Sequence, residues 1–442
     1  MILASEKSAE EMTADLAKLY RETTKAIQKE IEAFAGKYSR DVGVTLEEAR
    51  KALSKSELKS YKEQAQEYLD AIEKTGYAFD PAYRQKLHRQ LSLKSAVSRL
   101  EALQADCQFQ IEKLYAREQD AFREGLSGTY EESYYRATFN LQQGLGFGSP
   151  FTALNTRVIE KAVQEKWRGE NYSDRIWENK DRLTLTLQDV IPQGIAAGQN
   201  PRIIGQTIHD RMFGQGIAKG HGGMLGRSIN LARTEFNHIA NSATWDTYVE
   251  SGVVEQYQFL ATLDHATTDS CQNLDLKIFK LSEKMEGINY PPISSPPHPC
   301  RSTTVAYFPP DEIDAMFDDV KTRIARDPIT GKNYYVPADM TYKEWRESLT
   351  EEQGKAFLSN QKREKYYESD KEQLSSYRQF ITAAKKEHGE ELVSGLFADF
   401  PTTIGDFQAM KYLDSATWEI MKDNRRQLTG DWWREVLEKK RS

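Results

Sequence analysis

No run of about 18 apolar residues occurs anywhere in this chain, so it holds no candidate transmembrane helix. The opening MILASEKSAEEM turns polar within a few residues and lacks an apolar signal core, so synthesis in the cytoplasm is expected. Cysteine is scarce: three in 442 residues do not make a disulfide framework. Positive charge is not in excess. The net charge of -7 argues against a surface that embraces nucleic acid over its whole extent, although the closing EKKRS is a local basic patch. There is no spaced pair of CxxC motifs, no GxxxxGK[ST] loop and no internal repeat.

What is present is a chain with 39% hydrophobic and 29% charged residues, which suits a folded, helix-rich protein and not a disordered one. Its length fits about two to three domains. Over residues 5–36, Met12, Leu16, Leu19, Ile27, Ile31 and Phe34 recur near one helical stripe, and Ser8 with Glu11 reads as a capping-box start. Thr45 and Glu48 open a second helix in the same way. A third run, about 83–121, is read as one helix, with Leu91, Leu93, Val97, Leu100 and Leu103 apolar. GLGFGSP (144–150) breaks the pattern. A helical block with Val158, Ile159, Val163 and Trp167 then follows, ending near Phe213.

GQGIAKGHGG (214–223) is glycine-rich and lies between helices, so it reads as a hinge. A helix is expected from about 226 to 251, with Gly252 as its C-terminal stop. VVEQYQFLATL (253–263) and STTVAYF (302–308) read as strands. Beyond Pro310, a hairpin is expected around Pro328 and Gly331, then a capping box at Thr341 and Glu344. A helical tail with Trp418, Trp432 and Trp433 as aromatic anchors closes the chain. The expected fold is therefore mainly α with a small α+β domain. Its parts are a helical N-terminal region (1–143), a helical block with the hinge (144–224), a compact α+β unit (225–310), and a charged connector with a helical C-terminal extension (311–442).

Chemistry concentrates between the two expected strands of the α+β unit. Two of the three cysteines, Cys271 and Cys300, lie there, and Pro299 separates His298 from Cys300. In an extended backbone His298 and Cys300 project to one side. Asp264 and Cys271 then complete a candidate tetrahedral zinc set, with His265 able to replace Asp264. Three other readings stand beside zinc. The cysteines can be small buried apolar residues, Cys271 and Cys300 can form a disulfide, or a cysteine can act as a nucleophile with His298 as its base. On the helix before the strands, Arg233 and Asn237 share a face at i,i+4, as a surface pair. Alternatively Arg233 or Glu235 braces the loop carrying His298.

The segments LARTEFNHIAN, QYQFLATLDHATTDSCQNLDLKIF and NYPPISSPPHPCRSTTV together resemble the phage Mu F-like head-morphogenesis domain of tailed bacteriophages. RIARDPITGKNYYVPADMTYKEW (323–345) is similar to the phage minor capsid protein 2 family. The resemblance covers about 225–345. It implies a non-enzymatic minor structural protein of the phage head that associates with the portal protein and enters the procapsid in few copies. It also implies a place in the virion, at the head interior or portal vertex, after assembly in the host cytoplasm. Scaffold and major capsid proteins and double-stranded DNA are further candidate partners, and no membrane is involved during assembly. The family pattern falls here on Arg233, Thr234, Glu235, Asp264, Cys271, Pro297, His298, Cys300 and Arg301. The chain departs from it in lacking one residue between Pro299 and Cys300 and in having Ser302 where a further cysteine is common. The competing expectations are a metal-dependent hydrolase or nuclease-like enzyme on 225–310, and a nucleic-acid-binding module.

Overall fold

The computed structural model describes residues 2–39, 44–77, 79–92, 97–145, 154–214, 223–293, 300–309, 322–398, 400–413 and 415–429. The expected glycine-rich hinge, most of the 144–150 break, His298, Trp432, Trp433 and the basic C-terminus lie outside these residues. The fold is mainly α with small antiparallel sheets, as the sequence predicts. Two compact units are present. The first comprises 1–260 and 276–319, and the second comprises 261–275 and 320–442.

The first unit contains α1 (Ile2–Tyr38), α2 (Leu46–Arg50), α3 (Lys55–Thr75), α4 (Pro81–Ser92), α5 (Arg99–Leu145), α6 (Thr156–Val163), α7 (Tyr172–Ala196), α8 (Pro201–Phe213) and α9 (Gly223–Ser251). It also holds β1 (Gln256–Leu260), β2 (Ile278–Lys280) and β3 (Thr303–Tyr307). The α1 stripe is buried as expected, with Leu16 and Ile27 fully so. The helix starts before Ser8, however. No glycine or proline interrupts ILASEK, so nothing stops the helix extending toward the N-terminus. Thr45 does cap α2, its hydroxyl accepting from the Glu48 N–H at 3.2 Å, but α2 lasts five residues.

The run read as one helix over 83–121 is two. Pro81 opens α4 at its first turn. A second capping box then starts α5: the Ser98 N–H donates to Glu101 Oε2 at 2.7 Å, and the Glu101 N–H to Ser98 Oγ at 3.2 Å. Once started, α5 continues to Leu145, well beyond the expected end.

Helices α1, α5 and α9 pack side by side, and α6–α8 close over them. The two helical regions set apart in the sequence share one core, from Leu16 and Tyr20 through Ile111, Phe122, Ile176 and Leu183 to Ile229 and Phe236. Close helix approach depends on small residues. A Cβ on Gly125 of α5 would lie 2.7 Å from the Phe236 ring of α9.

The three-stranded sheet has the order β2-β1-β3 and is antiparallel throughout. Gln256 pairs with Tyr307 and Leu260 with Thr303. The expected strands are therefore neighbours. Their buried side chains, with Tyr248 and Tyr290, make a satellite core around Tyr257.

The second unit carries α10 (Asp269–Leu274), the hairpin β4 (Thr322–Arg326) and β5 (Asn333–Pro337), then α11 (Tyr342–Ser348), α12 (Glu351–Lys365), α13 (Tyr367–His388), α14 (Glu390–Leu396), α15 (Ile404–Leu413) and α16 (Ser415–Thr429). The expected hairpin turn is held by Asp327, whose Oδ1 accepts from the Ile329 and Thr330 N–H groups at 3.0 and 2.7 Å. Thr341 and Glu344 form the expected capping box. Leu263, Ala325, Tyr342, Trp345 and Phe357 form this unit's core next to the hairpin. No helix of the described residues is long and apolar enough to cross a membrane.

Candidate functional site

The four expected zinc ligands fall in different parts of the chain. Asp264 and Cys271 belong to the second unit and Cys300 to the first; His298 lies outside the described residues. Asp264 is almost fully buried and organises its own loop. Its Oδ1 accepts from the Ala266 N–H at 3.0 Å and the Thr267 hydroxyl at 3.1 Å. Its Oδ2 lies 3.8 Å from Arg326, and its carbonyl accepts from the Tyr342 hydroxyl at 3.0 Å. Cys271 sits buried on α10. All three cysteines are buried. Among the described residues no group of three or more histidines, cysteines and acids is placed to hold a metal ion.

The loop bearing Asp264 and Cys271 is fixed by a neighbour the sequence reading passed over, Asp275. Its Oδ1 accepts from the Ala261 N–H at 2.9 Å and from Arg323 at 2.8 Å. Its Oδ2 accepts from Arg323 at 3.1 Å and the Tyr342 N–H at 2.8 Å. A buried carboxylate with a forked guanidinium and two backbone donors is well satisfied.

In the first unit, α9 organises the residues that carry the family pattern. The expected Arg233–Asn237 surface pair does not form. Arg233 is exposed, whereas Asn237 is buried and donates from Nδ2 to the Ser302 carbonyl at 3.1 Å. Asn241, one turn on, donates to the same carbonyl at 3.3 Å and accepts from the Thr303 hydroxyl at 3.1 Å. The Tyr290 hydroxyl donates to the Asn241 carbonyl at 2.6 Å. Two asparagines one helical turn apart thus anchor the start of β3, immediately after Cys300 and the half-buried Arg301.

Glu235 points from α9 to the other side of this anchor. It is 4% exposed, pairs with Arg175 Nη1, and accepts from the Trp167 indole N–H at 3.1 Å. The capping box of Asn171 and Asp174 starts α7 where Arg175 can reach it. Trp167 is stacked on His238 with ring centroids 4.1 Å apart. The guanidinium of Arg168 lies 4.6 Å from the Trp167 ring centroid and donates to the Pro292 carbonyl at 3.1 Å. Gly287 makes room for that arginine: it has φ +76°, and a Cβ there would come within 2.9 Å of Arg168 Nη2. Glu235 therefore connects, through Trp167 and Arg168, to the 287–292 loop.

The electrostatics suit a brace. Burial raises the Glu235 carboxyl above its ordinary range, while Arg175 and the indole N–H work in the opposite direction. Burial, helped by Lys284, Arg175 and Arg168, holds His238 down to about 3, so its imidazole is neutral at pH 7. Glu235 Oε1 accepts from Arg175 and its Oε2 from the Trp167 indole, and His238 Nε2 lies 3.5 Å from Ser242 Oγ. Through Arg168 the arrangement holds the backbone of the 287–292 loop. Trp167 was legible only as an apolar helix residue, and Arg168, Arg175, His238 and Asn241 carried no spacing signal. The NxxD capping box after WRG was the available clue that this arginine–tryptophan turn is ordered.

Residues 185–305 match the family described as "Phage Mu protein F like protein". The match begins within α7, includes α8 and α9, and ends within β3. It starts earlier than the resemblance read from the sequence and stops before the 323–345 segment. The chain is also 23% identical over 185 residues to an NAD(+)–arginine ADP-ribosyltransferase, EFV, of Enterococcus faecalis (strain ATCC 700802 / V583), covering 40% of this chain and 36% of that protein. The chain therefore spans little more than a third of this curated relative. No solved structure matches.

Proposed function

We propose that this chain is a minor structural protein of a phage head that associates with the portal during assembly and acts without catalysis. The observation that carries the reading is the family match over 185–305. The geometry around Glu235 is consistent with it, because its polar groups are spent on fixing the 287–292 loop and the start of β3. Long helices are suited to lying along a ring of partner subunits, where repeated modest contacts supply avidity. The test is co-sedimentation of the purified chain with assembled portal rings. Retention with the rings at a defined ratio is expected, and free chain at every portal concentration would refute portal association.

The ADP-ribosyltransferase named among the relatives motivates one control. Incubation of the chain with labelled NAD and an arginine-bearing acceptor is expected to give no transfer. Labelling above a no-protein blank would overturn the non-catalytic reading.

A further inference from the structure

Where α1, α5 and α9 meet, the first unit buries a carboxylic acid with no counter-charge among the described residues. Glu118 of α5 is fully buried. Its Oε2 lies 3.4 Å from the Tyr20 hydroxyl, and its Oε1 has no hydrogen-bond partner. The Tyr20 hydroxyl also lies 3.2 Å from the Tyr115 hydroxyl and 2.9 Å from Ser228 Oγ. Three hydroxyls, of Tyr20, Tyr115 and Ser228, thus share their protons with the carboxyl, and those of Tyr20 and Ser228 are the two that favour its ionised form without partnering Oε1. An ionised carboxylate would need several donors, and this site supplies too few. A protonated carboxyl, by contrast, adds a donor of its own and balances the cluster.

Among the described residues the surroundings bring no cation to the carboxyl itself. From α1 the site is faced by Tyr20, and Thr24 one turn on is bonded to the Tyr20 carbonyl. From α5 it is faced by Tyr115. From α9 comes Ser228, while the neighbouring Arg227 is exposed and acts on Tyr115. From α8, Met212 receives the Thr24 hydroxyl and Phe213 packs edge-on against Tyr20, with His209 behind it paired to Asp210. The charged group that α7 buries, Lys180, serves a different acid, Glu112, at 3.5 Å. Glu112 and Glu235 thus each have a cation, and among the described residues Glu118 has none.

We propose that Glu118 is a protonation switch of the helical core: the α1–α5–α9 junction closes around the neutral acid and loosens when the acid ionises. Burial raises this carboxyl to about 7, so the switch works near neutral pH. The sign follows from linkage. The folded acid keeps its proton where the unfolded one, near 4.5, has lost it. Stability therefore falls as pH rises from about 4.5 to about 7 and is flat above.

The test compares the full chain with Glu118→Gln, which keeps volume and hydrogen-bonding capacity but cannot ionise. At pH 4, below the unfolded value, the two should unfold at the same temperature. At pH 8 the variant should unfold higher, by about 4 °C. Taking the difference between the chains cancels the opposite pH dependence of His238. A variant that unfolds lower than the parent at pH 8, or at the same offset at both pH values, overturns the proposal. A second readout needs no stable variant: the infrared carbonyl band of a protonated buried carboxyl. Loss of such intensity in the parent between pH 6 and 8, accompanied by lower amide protection, relative to the intrinsic exchange rate at each pH, in the α1–α5–α9 segments, is expected. Unchanged protection across that titration would also overturn the proposal.

Discussion

At the scale of single residues, the strongest statements concern carboxylates that bind backbone in place. Glu235 and Asp275 each hold an arginine and also receive donors from other groups. Removing one partner of such a buried pair leaves the other uncompensated. Glu235→Ala should therefore cost about 3 kcal/mol in denaturant unfolding. It should also raise amide exchange over 287–293, where Arg168 anchors the chain. Glu235→Gln keeps an acceptor for the Trp167 N–H, so it should lose less; equal loss from both variants would contradict the brace. His238 gives a pH prediction of opposite sign to that of Glu118. Its folded value of about 3 lies below the unfolded value of about 6.5. The contribution of a neutral His238 is complete above pH 6.5 and is lost as pH falls toward 3. His238→Phe keeps a ring against Trp167 and should flatten that acid limb in a pH series of unfolding midpoints. An unchanged limb would show that other groups set it.

At the scale of elements, α9 relates most of the structure to the family pattern. One side carries Phe236 into the helical core, and another carries Asn237 and Asn241 to β3. Gly125 allows α5 to come close enough for this. Gly125→Val should overpack the Phe236 ring and destabilise by about 1–3 kcal/mol, read as a lower denaturant midpoint. No change would mean that α5 and α9 are not so closely packed. Much of this level was legible in the sequence. The period of α1, the stop at Gly252, the paired strands and the Pro328–Gly331 hairpin all follow from local rules. The exceptions have local causes too. The break before α5 depends on a Ser98–Glu101 cap inside an otherwise helical stretch, and apolar periodicity does not register it. The candidate site was legible in its motif but not in its partners. Glu235 was singled out, whereas Trp167, Arg168 and Arg175 are 60 to 68 positions away in the chain. Sequence spacing has no means of reporting such contacts. Cys271 and Cys300, close in the motif, belong to different compact units.

At the scale of the whole molecule, a helical unit with a small sheet carries most of a Mu F-like segment, and a second unit is built on its own hairpin and helices. Asn237 and Asn241 in the first and Asp275 in the second hold backbone groups. We propose that the chain is part of the phage head in small number and arrives there with the portal. The most direct measurement is quantitative mass spectrometry of gradient-purified heads from producing cells, made with and without the portal protein. The account predicts the chain at low copy in portal-containing heads and its loss from heads lacking portal. Absence from portal-containing heads would contradict it.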